Sequence, residues 1–133
     1  MITLTAIRNL LIEGTVNKVL VIAPLRVAKC TWPDEISKWE HLRDITYSVA
    51  IGTASERTKA IKKSVDIVII NRENLDWMIN KSGVSFNFDM IVIDELSSFK
   101  SYSSKRFKAL LKVRPHIARI VGLTGTPSSN GLM

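Results

Sequence analysis

Ile91-Val92-Ile93-Asp94-Glu95 is an apolar, β-branched run that ends abruptly in two adjacent carboxylates. Such a run reads as a strand buried on both faces, because a half-exposed strand would alternate polar and apolar residues. Asp94 and Glu95 then fall at the strand's carboxyl end, where open α/β sheets bind their ligands. Two acids at that place suit a metal and a base. In nucleotide hydrolysis the first holds Mg²⁺, usually through water, and the second orients or deprotonates the attacking water. The plainer reading is an acid pair solvated in a turn, and the pair alone does not decide between them.

Outward from this strand the pattern alternates. Lys18–Ala23, Thr46–Ile51, Asp66–Ile70 and Ile117–Leu123 read as further strands, and Asp89–Ile93 as the one already quoted. Between them lie helical spacings. Leu4, Ile7 and Leu11 recur on one face before a stop at Gly14, and Trp32, Ile36 and Trp39 recur after the Pro24 turn. Thr31 is placed to cap that second helix, Pro33 suits its first turn, and Asp34 and Glu35 favour its positive end. Its tryptophans read as core anchors, since they share a face with Ile36. Ser55 is read as the cap of a short basic helix carrying Arg57, Lys59, Lys62 and Lys63. Arg72–Asn80 turns Leu75, Met78 and Ile79 inward before the Lys81-Ser82-Gly83 turn, and Ser103–Lys112 presents Phe107, Leu110 and Leu111 to the core. Strands alternating with helices predict an α/β domain of three layers, with a mainly parallel sheet covered on both faces.

The order of segments resembles the first RecA-like lobe of a Swi/Snf-type superfamily two helicase or translocase, of the phage or bacterial kind. Val19-Leu20-Val21-Ile22-Ala23-Pro24-Leu25 resembles motif Ia, and Ile67-Val68-Ile69-Ile70-Asn71-Arg72-Glu73 resembles motif Ib. Ile93-Asp94-Glu95-Leu96-Ser97-Ser98-Phe99-Lys100 resembles motif II, and Leu123-Thr124-Gly125-Thr126-Pro127, with Asn130 and Leu132, resembles motif III. The resemblance implies Mg²⁺ at Asp94, a hydrolytic water at Glu95, and coupling of nucleotide state to lobe movement through Ser97, Thr124, Gly125 and Thr126. It places Arg26, Asn71 and Arg72 where the family's first lobe meets the nucleic-acid backbone; ordinary turn solvation is the alternative for these. Ser97 departs from the family's usual His at that position, although a hydroxyl both donates and accepts hydrogen bonds.

No Gly is followed by Lys, so the 133 residues hold no G-x-x-x-x-G-K-[ST] phosphate loop. The resemblance therefore implies residues 1–133 as a partial N-terminal RecA-like domain. It begins just after that loop, with Met1 to Ile7 as the following helix, stops just after motif III, and lacks the second lobe with its arginine finger. Mg²⁺ and ATP belong to the parent protein, and neither is expected to bind this chain tightly. Without the loop, Ile117–Leu123 is expected as an uncovered sheet edge able to pair with a second copy of the chain.

Length allows one domain. Cys30 stands alone, which excludes an internal disulfide or a cysteine-based zinc cluster, and reads as a small buried or half-buried filler. His41 and His116 lack metal-ligand spacing. No apolar run reaches the roughly 20 residues of a membrane span, and no leader-like start is present. The chain reads as soluble, and with the resemblance as cytoplasmic in a bacterial or phage-infected cell. The net charge of +7 lies wholly after residue 95, on Lys100, Lys105, Arg106, Lys108, Lys112, Arg114 and Arg119, with no acid among them. This points to an anionic partner, with a solvated helix face as the competing account. Two functions stay open: a part of a DNA-dependent ATPase, bound non-specifically to the phosphate backbone, or a non-catalytic nucleic-acid-binding or regulatory module of the same fold. A nuclease built on Asp94 and Glu95 fits poorly, since no further acid or Lys completes a nuclease pattern nearby.

Overall fold

The computed structural model describes residues 2–38, 42, 44–95 and 105–123. Their elements run α1 (Ile2–Ile12), β1 (Val19–Ala23), a π-helical turn (Val27–Thr31) continuing into α2 (Trp32–Lys38), β2 (Tyr47–Ala50) and α3 (Ala54–Lys62). Then follow β3 (Ile67–Asn71), a 3₁₀ turn (Arg72–Asn74), α4 (Leu75–Asn80), β4 (Met90–Ile93), α5 (Lys105–Val113), a 3₁₀ turn (Arg114–His116) and β5 (Arg119–Gly122). The strands form one parallel sheet in the order β2-β3-β1-β4-β5.

Why these runs make central strands follows from their burial. β1, β3 and β4 are buried at every position, and successive residues feed opposite cores. Val19, Val21, Ala23, Ile67, Ile69 and Val92 pack with Leu4 and Ile7 of α1 and Trp32 and Ile36 of α2. Leu20, Ile22, Val68, Ile70, Ile91 and Ile93 pack with Ile61 of α3, Leu75 and Met78 of α4, and Leu110 and Val113 of α5. Two apolar faces demand two helical layers, and the three-layer α/β architecture expected from the sequence is what forms.

The strands' amino ends are pinned by acids. Asp89 accepts from the backbone N–H of Asn17 (2.9 Å) and Lys18 (3.0 Å), and Asp66 accepts from the N–H and hydroxyl of Thr46. Lys18 reaches the carbonyls of Ile61 and Lys63, and burial pushes its amine below the ordinary lysine range.

Several local expectations are corrected. Thr31 caps nothing: the helix already begins at Leu25, and Trp32 N–H bonds back to the Val27 carbonyl across the widened π turn. Pro33, which has no N–H to give, follows directly on that turn. The cap of α3 is Thr53 rather than Ser55. Its side chain accepts from Glu56 N–H, and Glu56 answers to Thr53 N–H (3.0 Å), a full capping box. Leu111 is 56% exposed, because it stands about 100° round the helix from Leu110; Ala109 and Val113 take the inner face with Leu110. Cys30 is exposed, the buried positions of its turn and the following helix start being Ala28 and Trp32. No helix among the described residues is long and apolar enough to cross a membrane.

Candidate functional site

Register brings three of the sequence motifs to one edge of the sheet. Ala23 pairs with Asn71, Ile22 pairs with Ile93, Asp94 N–H donates to the Ile22 carbonyl (2.8 Å), and Leu123 N–H donates to the Ile93 carbonyl (2.8 Å). The carboxyl ends of β3, β1, β4 and β5 thus lie side by side, carrying Asn71, Pro24 to Arg26, Asp94 and Leu123. The helix after β1 packs on one face of the sheet, while those after β3 and β4 pack on the other. Connections that leave neighbouring parallel strands toward opposite faces open a crevice between them, the usual ligand position in such sheets.

Asp94 stands at that crevice, partly exposed. Its Oδ2 accepts from the indole Nε1 of Trp32 at 3.0 Å, and among the described residues no side chain bonds Oδ1. Asp66 and Asp89 lie at the opposite edge and accept from backbone N–H groups there, so of these three strand-flanking acids Asp94 is the one that stands at the crevice. Glu95 follows, exposed, with φ 57°. A non-glycine residue held in the left-handed region stores strain of order 1 kcal/mol, and such residues cluster at working sites.

Asp94 fits a Mg²⁺ ion. Mg²⁺ keeps most of its water and takes one or two carboxylates together with phosphate oxygens, so a single oriented carboxylate at a crevice is an adequate protein contribution. No group of three or more His, Cys, Asp or Glu assembles among the described residues, so none of them forms a dedicated all-protein cage.

The nucleic-acid candidates differ from one another. Arg26 is exposed at the end of β1, where the π turn begins. Asn71 is 6% exposed and engaged: its amide donates to Glu73 (3.2 Å) and its carbonyl accepts from Asn74 (2.6 Å). Asn74 in turn accepts from Arg57, whose guanidinium lies over the Trp77 ring, 4.2 Å from its centroid. Arg72 pairs with Glu73 at 3.4 Å. Burial pushes the Glu73 carboxyl up, but its own backbone N–H, the Asn71 amide and Arg72 outweigh this and hold it below the usual range. Asn71 thus braces the β3 exit, while Arg26 presents its charge outward. Ser97, Thr124, Gly125 and Thr126 lie outside the described residues.

Two residues escaped the sequence reading. Trp32 was legible as a core anchor, yet its partner Asp94 is 62 positions away and no local pattern joins them. Arg57 looked like one charge of a basic helix. Its tie to Asn74 needs the α3 and β3 register, which periodicity alone does not supply.

The SNF2-related domain family matches residues 1–133, and the chain belongs to it. Protein p41 of Acyrthosiphon pisum secondary endosymbiont phage 1 is 44% identical across 98% of this chain and 30% of its own length. The DNA excision repair protein ERCC-6-like of Mus musculus is 32% identical across 88% of this chain and 10% of its own. Among solved structures, the Sulfolobus solfataricus SWI2/SNF2 ATPase core in complex with dsDNA superposes with TM-score 0.74 at 26% identity, over 96% of this chain and 25% of that one. The chain thus spans less than a third of the relatives it matches, and its fold is that of the RecA-like SWI2/SNF2 core.

Proposed function

We propose that these residues form the motif Ia to motif III part of the first RecA-like lobe of a DNA-dependent ATPase. The supporting observation is the meeting of Asp94 and Glu95 with the Arg26 turn at one sheet edge, in a fold shared with a SWI2/SNF2 ATPase core. Mg²⁺, when bound, neutralises charge on the phosphate oxygens during transfer. Asp94 would hold it, through Oδ1 and water, while its other oxygen is fixed from the protein side. Glu95, projected by its left-handed backbone, would orient the attacking water and take its proton. Ser97, Thr124, Gly125 and Thr126 would relay nucleotide state to lobe movement.

Phosphoryl transfer rests on positioning and charge cancellation, and a phosphate loop supplies much of both. The 133 residues contain none. On its own this chain is therefore expected to show no Mg²⁺-dependent ATP hydrolysis, with or without DNA. The full-length protein carrying it should hydrolyse ATP in a Mg²⁺- and DNA-dependent way that Asp94→Asn abolishes. Persistent hydrolysis in that variant would remove Asp94 from the reading. Failure of the full-length protein to bind ATP at all, with DNA binding kept, is the outcome that favours a non-catalytic module.

DNA contacts should run through Arg26 and Arg72 to phosphate oxygens, braced by Asn71. Binding should then be sequence-independent and fall steeply with salt, as released counterions dictate. Arg26→Ala should weaken it more than Lys59→Ala, Lys59 being exposed on α3. Equal effects, or affinity that survives high salt, would remove the Arg26 turn from the DNA path.

A further inference from the structure

We infer that Trp32 is a positioning residue for the metal-binding carboxylate, holding Asp94 by its indole N–H so that the other oxygen faces the metal; this rests on the role proposed above for Asp94. A buried indole must find an acceptor, and any backbone carbonyl would serve a tryptophan that only filled the core. Trp32 instead uses a side-chain carboxylate at the sheet's functional edge, 3.0 Å away, while itself wholly buried. The indole is fixed on all sides by the core it shares with Ala28, Ile36 and Val92. Asp94 is fixed through its backbone to Ile22. With both ends immobile, the bond sets the direction of the carboxylate and leaves little rotation about its side chain.

The same arrangement ties the carboxylate to the nucleic-acid side. Leu25 to Lys38 is one continuous helical run, π-helical from Val27 to Thr31, with Arg26 near its start and Trp32 where α2 begins. The residue proposed to meet DNA and the donor that orients Asp94 thus lie on one element. Partners one step out from metal ligands commonly govern metal affinity or activity by about 10 to 100-fold.

The test uses the full-length protein with Glu95→Gln added to stop turnover. Mn²⁺ affinity is read from the spin resonance of free Mn²⁺ in the presence of a non-hydrolysable ATP analogue. Two variants remove the donor: Trp32→Phe, and benzothienylalanine at position 32, which keeps the ring size and replaces N–H by sulfur. The expected result is Mn²⁺ binding weakened about 10-fold in both, with metal-free nucleotide affinity and thermal midpoint unchanged in the benzothienylalanine protein. If Trp32→Phe does not fold, the benzothienylalanine protein decides. Unchanged Mn²⁺ affinity there, while Asp94→Asn loses the metal, overturns the inference and leaves the proposed function standing. Equal losses of metal-free nucleotide affinity and of metal affinity also overturn it, since they mark a purely structural tryptophan. Unchanged Mn²⁺ affinity in Asp94→Asn overturns both.

Discussion

Glu95 combines a backbone cost with the role in hydrolysis proposed for it. At φ 57° its Cβ crowds the following carbonyl, a cost that glycine escapes. Glu95→Gly should therefore stabilise the 133-residue chain by about 1 kcal/mol, read as a higher denaturant midpoint at unchanged slope. The same change should abolish hydrolysis by the full-length protein. A lower midpoint would mean that the side chain's own contacts outweigh the backbone strain. The adjacency of Asp94 and Glu95 was legible because a buried run followed by two acids is a local pattern. The left-handed turn that separates their directions was not, since no glycine or asparagine marks it.

Among the elements, α3 carries a testable electrostatic device. The Glu56 carboxyl accepts from the Thr53 backbone, and from its side chain, and both hold it below the ordinary glutamate range against a small opposing effect of burial. A carboxyl depressed in the folded state adds stability above its unfolded pKa and loses it as pH falls through the folded one. The wild-type chain should thus be more stable than Glu56→Gln at neutral pH, with the gap closing as pH falls below the ordinary glutamate range. A gap independent of pH would show that the charge of Glu56 does not strengthen the box. The capping signal was present in the sequence as Thr53-Ala54-Ser55-Glu56: Thr53 has Glu56 three residues on, as a capping box requires, whereas Ser55 has Thr58. Strands were easier: β1, β3 and β4 are short β-branched runs whose burial leaves one reading. Exposure within helices was harder, as Leu111 shows, for composition names apolar residues without fixing the angle at which each stands. Trp32 to Asp94 was out of reach, because it joins elements that only the folded register brings together.

At the scale of the molecule, the sheet ends unequally. β5 pairs with β4 alone among the described residues, and Ala6, Leu10, Met90, Arg114 and Ile120 help line a groove of about 540 Å³ beside it. Ile120 and Val121 are only half-buried, so an apolar strand edge faces outward, with Arg119 the one charge against pairing. We expect the 133-residue chain to self-associate through this edge as a two-fold dimer. Sedimentation across concentrations checks it: a strict monomer at high concentration, with residues 119–122 protected from hydrogen exchange, would show the edge covered from within. The central claim, that Asp94 and Glu95 serve nucleotide hydrolysis, meets its most direct test in Glu95→Gln in the full-length protein. DNA-stimulated ATP hydrolysis and Mg²⁺-dependent ATP binding would be measured on the same preparation. Hydrolysis falling at least about 100-fold with binding retained is the predicted result, since the change removes a base without touching the phosphate cradle. Hydrolysis at the wild-type rate would contradict the account.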